Sequence, residues 1–107
     1  ATIDANGRQI DGDVDEVLSL GDLHQKWVAF GWEVLHMDGH DFDSIRSTMQ
    51  KAKSMTGKGK PVVIIMKTEM GQGVDYMMGS HKWHGVAPNA EQLQVALQQL
   101  EETLGDY

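Results

Sequence analysis

Hydrophobic and polar residues follow one another along the chain in patterns that predict three strands. Residues 62–67, VVIIMK, form a continuous apolar run rich in β-branched side chains. Such a run is typical of a parallel strand that is buried on both faces. Residues 32–37, WEVLHM, predict a second strand, and ATID at residues 1–4 predicts the tail of a strand that begins further upstream.

Apolar residues at three- and four-residue spacing predict two helices between these strands. The first covers residues 22–30, with Asp22 as its N-terminal cap and Gly31 at its end. The second covers residues 42–55, with Asp41 as its cap. The apolar faces consist of Leu23, Trp27 and Phe30 in the first helix and of Phe42, Ile45, Met49 and Ala52 in the second.

A third helix is predicted near the end of the sequence. Asn89 and Gln92 have the three-residue spacing of a capping box. The inner face of this helix would be Leu93, Leu97, Leu100 and Leu104. Between residue 67 and this helix the sequence has little periodicity, and a loop of that length in a compact domain is usually functional or disordered.

The order of the elements predicts the fold class. Strand, helix, strand, helix, strand, helix indicates an α/β fold with right-handed crossovers and a parallel sheet. Ligands of such sheets bind at the carboxyl ends of the strands, so the turns after residues 4, 37 and 67 should share one ligand edge. Three strands make a thin sheet with an exposed edge. We therefore expect a partial three-layer αβα architecture, completed by missing strands, a partner chain or both.

Composition narrows the classes of function. The chain has 107 residues, 40% of them hydrophobic and 23% charged, which indicates one globular domain. The net charge of −7 disfavours general nucleic-acid binding. No apolar run is long enough to span a membrane, and no export signal is evident, so we expect a cytoplasmic protein. There is no cysteine to form a disulfide or a thiolate–metal bond.

The segment IDANGRQIDG, residues 3–12, is a candidate site for a hard cation. Asn6 offers a side-chain oxygen, and the backbone carbonyl of Arg8 could point to the same ion if Gly7 allows a tight turn. Mg²⁺ binds few protein oxygens and takes its other ligands from water and phosphates. The alternative is an ordinary Asn-Gly turn without a ligand.

Histidines lie in two close pairs, His36 with His40 and His81 with His84. On helices such spacings would suit zinc, but the first pair spans a turn and the second lies in the loop SHKWHGVAP, residues 80–88. Three roles therefore stay open for this loop: a metal site, a catalytic base or a structural contact. The usual role of a lone histidine is a hydrogen bond. Trp83 is the predicted anchor of the loop.

The segment EMGQG, residues 69–73, follows the most apolar strand. Its glycines permit close approach of a ligand to the backbone, or only a flexible exit from the sheet. Four methionines could line a pocket, although methionine more often fills a core: Met66, Met70, Met77 and Met78. Trp27 and Trp32 are predicted core residues.

Four stretches occur in the order in which they occur in transketolases: NGRQIDG, LGDL…KWVAFGWEV…MDGHD, GKPVVIIMKTEMGQGV and WHGVAPN. Together they extend over essentially the whole chain, which most resembles transketolases whose first half is a separate subunit. The resemblance implies that residues 1–107 are the C-terminal part of a thiamine diphosphate-binding (PP) domain. The upstream strands and the Gly-Asp-Gly motif with its aspartate ligand are absent from this sequence.

The resemblance implies roles for particular residues. Asn6 matches the asparagine that ligates Mg²⁺, for which Ca²⁺ is a possible substitute, and Arg8 matches a position that ligates through its backbone carbonyl. Ile10 matches an apolar residue beside the thiamine diphosphate cofactor. No role for His81 follows from the resemblance.

Three further residues match the cofactor site of the family. Met70 corresponds to an apolar residue beside the cofactor, and Gly71 begins the GQG segment that follows it. His84 corresponds to a histidine that reaches the diphosphate and the substrate, and it is the implied catalytic residue. The loop of residues 80–88 would then be a wall or lid of the cofactor site.

The implied reaction of the intact protein is transfer of a two-carbon ketol unit from a ketose phosphate to an aldose phosphate, as in the pentose phosphate pathway. The implied partners are sugar phosphates, a pyrimidine-binding domain or subunit, and a second copy, since family members work as dimers. The short chain alone should not catalyse. The alternatives are another thiamine diphosphate enzyme, such as deoxyxylulose-phosphate synthase, or a non-catalytic α/β interaction or metal-binding module.

Overall fold

A computed structural model describes residues 1–101 of the chain. Within them the strands are Thr2–Ala5 (β1), Arg8–Gln9 (β2), Gly12–Asp13 (β3), Glu33–Asp38 (β4) and Val62–Lys67 (β5). The α-helices are Val14–Leu18 (α1), Leu23–Ala29 (α2), Phe42–Met55 (α3) and Ala90–Gln99 (α4), and a 3₁₀ helix covers His81–Trp83. No helix of this described part is long and apolar enough to cross a membrane.

The main sheet is parallel, with strand order β1–β5–β4. The apolar strand β5 lies in the centre, where both of its edges are paired, as its continuous hydrophobic run predicts. In the register, Asp4 of β1 and Met37 of β4 both pair with Met66 of β5. The three strands therefore end together, which confirms that the turns after them share one edge.

Helices cover both faces of this sheet. Leu35, Met37 and Ile64 form a buried cluster on one face. The side chains of α3 that pack against this cluster are Ile45, Ala52 and Met55. Because side chains alternate along a strand, His36 points to the opposite face, where it contacts His24 of α2. The partial three-layer αβα prediction is thus confirmed.

The predicted helix caps are present. Asp22 accepts a hydrogen bond from the backbone N–H of Gln25, at 2.9 Å. Asp41 accepts from the backbone of Asp43, also at 2.9 Å. Asn89 and Gln92 form the complete capping box at the start of α4. Each cap satisfies N–H groups that have no partner within the helix.

Several predicted core positions are wrong. Phe30 and Phe42 lie at helix ends, beyond the packed turns, and are 77% and 81% exposed. Met49 is half-exposed because it borders an open groove beside β1 rather than the cluster beneath α3. Trp27 and Trp32 are only partly buried, in edge-to-face contact with each other at 4.8 Å between ring centroids.

The inner face of the last helix also differs from the prediction. Ala96 is the buried residue of α4, whereas Leu93, Leu97 and Leu100 stay largely exposed. The polar contacts of this helix go to the preceding loop, for example from Tyr76 Oη to the carbonyl of Gln92. Leu104 lies outside the described residues.

Residues 8–18 contain structure that the hydrophobic pattern does not predict. Strands β2 and β3 pair as a short antiparallel ribbon with Ile10 and Asp11 at its turn. The five-residue helix α1 follows at once. Two-residue strands and a single helical turn are too short to show a hydrophobic period.

Candidate functional site

The turn after β1 holds Asn6 in a fixed position. Asn6 Oδ1 accepts a hydrogen bond from the backbone N–H of Arg8 at 2.8 Å. Gly7 between them has φ of +72°, a conformation that side chains other than that of glycine rarely adopt. An amide oxygen has two lone pairs, so Asn6 Oδ1 keeps one acceptor site besides this bond.

The backbone carbonyl of Arg8 points away from the short ribbon. The N–H of Val14 donates to the carbonyl of Gly7 at 3.0 Å, which makes Gly7–Val14 a hydrogen-bonded pair of the ribbon. The next pair, Arg8 with Asp13, is therefore non-hydrogen-bonded, and its backbone N–H and C=O groups face outward. The N–H of Arg8 donates to Asn6 Oδ1. Because the N–H and the carbonyl of Arg8 face the same way, the carbonyl lies on the side of the chain where Asn6 lies.

The side chain of Arg8 has a different partner from its backbone. Its guanidinium forms an ion pair with the carboxylate of Asp13 across the ribbon. That contact holds the ribbon together and leaves the carbonyl of Arg8 free of the charged group. A ligand role for Arg8 would therefore depend on its backbone, as the resemblance implies.

The two oxygens of this turn fit a hard divalent cation. Amide and carbonyl oxygens are the donor types that Mg²⁺ and Ca²⁺ accept. In residues 1–101, no group of three or more His, Asp or Glu side chains is placed to hold a metal ion. A cation here would complete its coordination with phosphate, with water or with residues beyond the described part.

A cavity of about 600 Å³ adjoins the turn. Asn6, Gly7 and Arg8 line one side of it. Its acidic lining residues are Asp4, Asp13, Asp15 and Glu16. Carboxylates repel a bare phosphate and attract a cation, so a diphosphate could enter this region only together with a positive ion.

The remaining predicted site residues do not line this cavity. Ile10 sits at the tip of the ribbon and is 66% exposed. Met70 and Gly71 start the loop after β5, the strand that pairs with β1. The 3₁₀ helix before His84 packs against β3. The structure therefore brings Asn6 and Arg8 together, and it does not bring the other four into the same cavity.

Gly71 is required by the packing of its own loop. Its φ is +73°, and a Cβ atom at this position would lie 2.4 Å from Cβ of Met77. Two backbone N–H groups turn the loop inward, from Val74 to the carbonyl of Gly71 at 3.0 Å and from Met77 to that of Val74 at 2.9 Å. Close approach of chain to chain thus explains this glycine without any ligand.

His84 stands at the end of an anchored segment. Its N–H donates to the carbonyl of His81 at 3.0 Å, and the residue is exposed. Trp83 Nε1 donates to the carbonyl of Tyr76 at 2.8 Å, and the two rings pack at 5.1 Å. Tyr76 Oη in turn donates to the carbonyl of Gln92 in α4. The prediction that Trp83 anchors the loop is confirmed.

His36 and His40, the first of the two close histidine pairs, have different partners. Nδ1 of His24 and Nε2 of His36 are 2.9 Å apart, joined by one hydrogen bond. Their ring centroids are 5.2 Å apart at an interplanar angle of 11°. That spacing equals the N···N distance plus two ring radii, so the rings meet end to end rather than face to face. His40 turns elsewhere and accepts a hydrogen bond from the backbone of Glu69.

Sequence reasoning missed His40 and Glu69 as neighbours. The register pairs Asp38 with Lys67, and each of the two residues lies two positions beyond that pair. Equal offsets past the ends of adjacent parallel strands could have predicted the contact. This prediction requires that β4 and β5 be adjacent in the sheet, which the sequence alone does not establish.

A second cavity, of about 730 Å³, lies away from this edge. Trp32, Pro61 and Val62 border it at the amino ends of β4 and β5, and Met49 of α3 borders it from above. Parallel sheets bind ligands at the opposite, carboxyl ends of their strands. Its apolar lining therefore marks an uncovered flank of the sheet.

Comparison with known proteins gives consistent matches. Residues 1–105 match the family model described as transketolase, thiamine diphosphate binding domain. The chain is 41% identical over 104 residues to one of the subunits of apulose-4-phosphate transketolase from Phocaeicola vulgatus. It is 37% identical over 102 residues to 6-deoxy-6-sulfo-D-fructose transketolase subunit SqwG of a Clostridium species.

A solved structure matches the fold as well. The crystal structure of transketolase from Campylobacter jejuni superposes with a TM-score of 0.81 at 35% identity and covers 92% of this chain. The matches cover 97% of the chain for the Phocaeicola relative and 95% for the Clostridium relative. The chain spans 36% of the length of each of these two relatives and 15% of the Campylobacter chain.

Proposed function

The chain belongs to the transketolase thiamine diphosphate-binding domain family, and from this premise we propose that it is the diphosphate-binding part of a two-subunit transketolase. The proposed reaction moves a two-carbon ketol unit from a ketose phosphate to an aldose phosphate. The observation that carries the proposal is the turn after β1, where Asn6 Oδ1 and the carbonyl of Arg8 lie on one side of the chain.

Asn6 and Arg8 would hold Mg²⁺, or Ca²⁺ in its place, and the ion would hold the diphosphate of the cofactor. When bound, thiamine diphosphate supplies the electron sink that lets the carbon–carbon bond of a ketose break. The protein's part here is to fix two oxygen ligands before the ion arrives. The hydrogen bond from Arg8 to Asn6 supports this preorganisation, because the amide is held in one orientation.

His84 is proposed to donate a hydrogen bond to the diphosphate and to the substrate next to it. Its exposure and its fixed backbone support this role, since its imidazole faces outward from an anchored segment. Ile10 and Met70 would supply apolar contact to the cofactor, and the backbone at Gly71 would lie beside it. The carboxylates that line the cavity beside Asn6 support entry of the diphosphate only as its Mg²⁺ complex.

A partner subunit is part of the proposal. The Phocaeicola and Clostridium relatives are named as transketolase subunits, and the chain covers only 36% of the length of each. We infer that a second subunit supplies the pyrimidine-binding half and that the assembly contains two copies of each. The substrates would be sugar phosphates or related sugars, of the class in the names of these relatives.

A product assay on the whole protein, purified with its partner subunit, tests the proposal. We expect a new sugar phosphate from a ketose phosphate and an aldose phosphate, and no product after EDTA treatment until Mg²⁺ is restored. The control reaction offers pyruvate as donor to the same aldose phosphate and measures release of carbon dioxide. A sugar phosphate formed with pyruvate, and none formed with the ketose phosphate, would favour a deoxyxylulose-phosphate synthase and contradict ketol transfer.

A further inference from the structure

We propose that His40 and Glu69 are positioning residues that set the loop bearing His84, an inference that rests on the proposed function. Neither residue lines the cavity beside Asn6. Their contacts form a chain of hydrogen bonds from the turn after β4, through the start of the loop after β5, to the segment before His84. We call this chain the His40–Glu69 relay.

The first link of the relay joins two strand ends. The N–H of Gly39 donates to the carbonyl of Lys67 at 2.8 Å, which extends the pairing of β4 and β5 beyond their last residues. Next to it, the N–H of Glu69 donates to Nε2 of His40 at 2.7 Å. Nε2 can accept only when it carries no proton, so the neutral ring has its proton on Nδ1.

The second link closes the loop of residues 69–79. Glu69 Oε1 accepts a hydrogen bond from the N–H of Gly79 at 2.8 Å. One residue therefore fixes both ends of the loop, its backbone at the start and its carboxylate at the finish. Met70 and Gly71 lie just inside the first end, and the 3₁₀ helix that leads to His84 begins two residues after the second.

The relay complements the anchor at Trp83. That indole is tied to Tyr76 inside the same loop, so it fixes the 3₁₀ helix relative to the loop and not relative to the sheet. The 3₁₀ helix also packs against β3 of the short ribbon, and the relay adds a connection to the main sheet, because His40 belongs to the turn after β4. Without the relay, we expect both ends of the loop, and His84 with them, to shift relative to β4 and β5. A displacement of about 1 Å at a reacting group can lower a rate by roughly 100-fold.

The test uses the whole protein, together with its partner subunit, in matched pairs of variants. His40→Phe removes the acceptor and keeps a ring, whereas His40→Gln offers an amide oxygen near the position of Nε2. Glu69→Leu removes the carboxylate, whereas Glu69→Gln keeps an oxygen that can accept from Gly79. We expect His40→Phe and Glu69→Leu to lower kcat/KM at least tenfold, and each glutamine variant to stay within about threefold of wild type.

A double-mutant cycle with His84→Ala separates positioning from general stability. If the relay acts through His84, adding His40→Phe to His84→Ala should cause less than a threefold further loss, because the two changes remove the same interaction. Additive losses would overturn the proposal. If the melting temperature of His40→Phe is much lower than that of wild type, Glu69→Leu replaces it in the cycle. A further loss of less than threefold would then support the relay, and additive losses would overturn it.

Hydrogen exchange gives a second readout that does not depend on activity. His40→Phe should speed exchange of amides in residues 69–84 and leave exchange of the α3 amides unchanged. Equal exchange of the loop amides in wild type and variant would contradict the relay.

The wild-type protein separates failure of the relay from failure of the proposed function. Wild-type protein that neither binds Mg²⁺–thiamine diphosphate nor transfers ketol units would reject the proposed function itself. Active wild type with an unaffected His40→Phe variant would reject only the relay.

Discussion

Replacement of Gly71 by alanine should destabilise the loop after β5. The expected loss of free energy has two parts. The first part is the positive φ of +73°, which costs an L-residue about 1–2 kcal/mol. The second is the contact of the new Cβ with Met77, 2.4 Å from its Cβ and 3.0 Å from its backbone carbon. Overpacking of this kind costs about 1–3 kcal/mol.

Gly79 provides the matched control for this substitution, because it belongs to the same loop. Its φ is +70°, and an added Cβ would have no heavy atom within 4 Å. Gly79→Ala therefore carries only the conformational penalty, and the difference between the two variants isolates the contact with Met77. We expect Gly71→Ala to lower the local stability of the loop by about 1–3 kcal/mol more than Gly79→Ala does.

Native-state hydrogen exchange of the loop measures that difference. The amides of Val74 and Met77 are hydrogen-bonded within the loop, so their exchange reports its opening. Relative to Gly79→Ala, the Gly71→Ala variant should exchange them roughly 5- to 150-fold faster, as 1.4 kcal/mol corresponds to a factor of ten. Equal exchange rates in the two variants would refute the reasoning that chain packing requires this glycine.

Three further substitutions test the site and its supports. His84→Ala should raise the apparent Kd of thiamine diphosphate or reduce turnover and leave the melting temperature unchanged, since the residue is exposed; unchanged Kd and turnover would reject its role. Trp83→Phe removes the hydrogen bond to Tyr76 and should lower loop stability by about 1 kcal/mol, measured by exchange of loop amides, with no change expected in α3. Asn89→Ala removes the capping box of α4 and should lower the unfolding free energy by about 1 kcal/mol in urea denaturation, whereas Asn89→Asp should have little effect.

The strands and caps could be predicted because their signals are local. The continuous apolar run of β5 indicates a doubly covered strand whatever its neighbours are. Asp22, Asp41 and Asn89 act on backbone groups within three residues of themselves. Interactions of this range are fully present in the sequence.

The burial of helix faces could not be predicted in the same way. Periodicity tells which side of a helix is apolar and says nothing about what covers it. Leu93 and Leu97 have the spacing of an inner face, yet they are 44% and 57% exposed, and Ala96 is the buried residue of α4. A hydrogen bond from Tyr76 of the loop to the carbonyl of Gln92 joins this helix to the loop. The contact partner is a tertiary property.

The residues of the candidate site also differ in whether their signals are local or tertiary. Asn6 and Arg8 could be proposed from the sequence because turn chemistry and cation chemistry meet within three residues, and their role as ligands stays a prediction. His40 and Glu69 are 29 residues apart, and their hydrogen bond depends on the register of two strands. For Gly71 the sequence indicates ligand approach or flexibility, and the contact with Met77 of the same loop is a tertiary contact that the sequence does not indicate.

Calorimetric titration of Mg²⁺–thiamine diphosphate into the whole protein, assembled with its partner subunit, tests the central claim most directly. Three proteins are compared: wild type, Asn6→Ala, and Asn6→Asp, which keeps an oxygen for both the ion and the N–H of Arg8. We expect binding by wild type and by Asn6→Asp, and binding at least tenfold weaker for Asn6→Ala. Equal binding by all three, or none by wild type, would contradict the assignment of the turn after β1 as the cation site of a thiamine diphosphate enzyme.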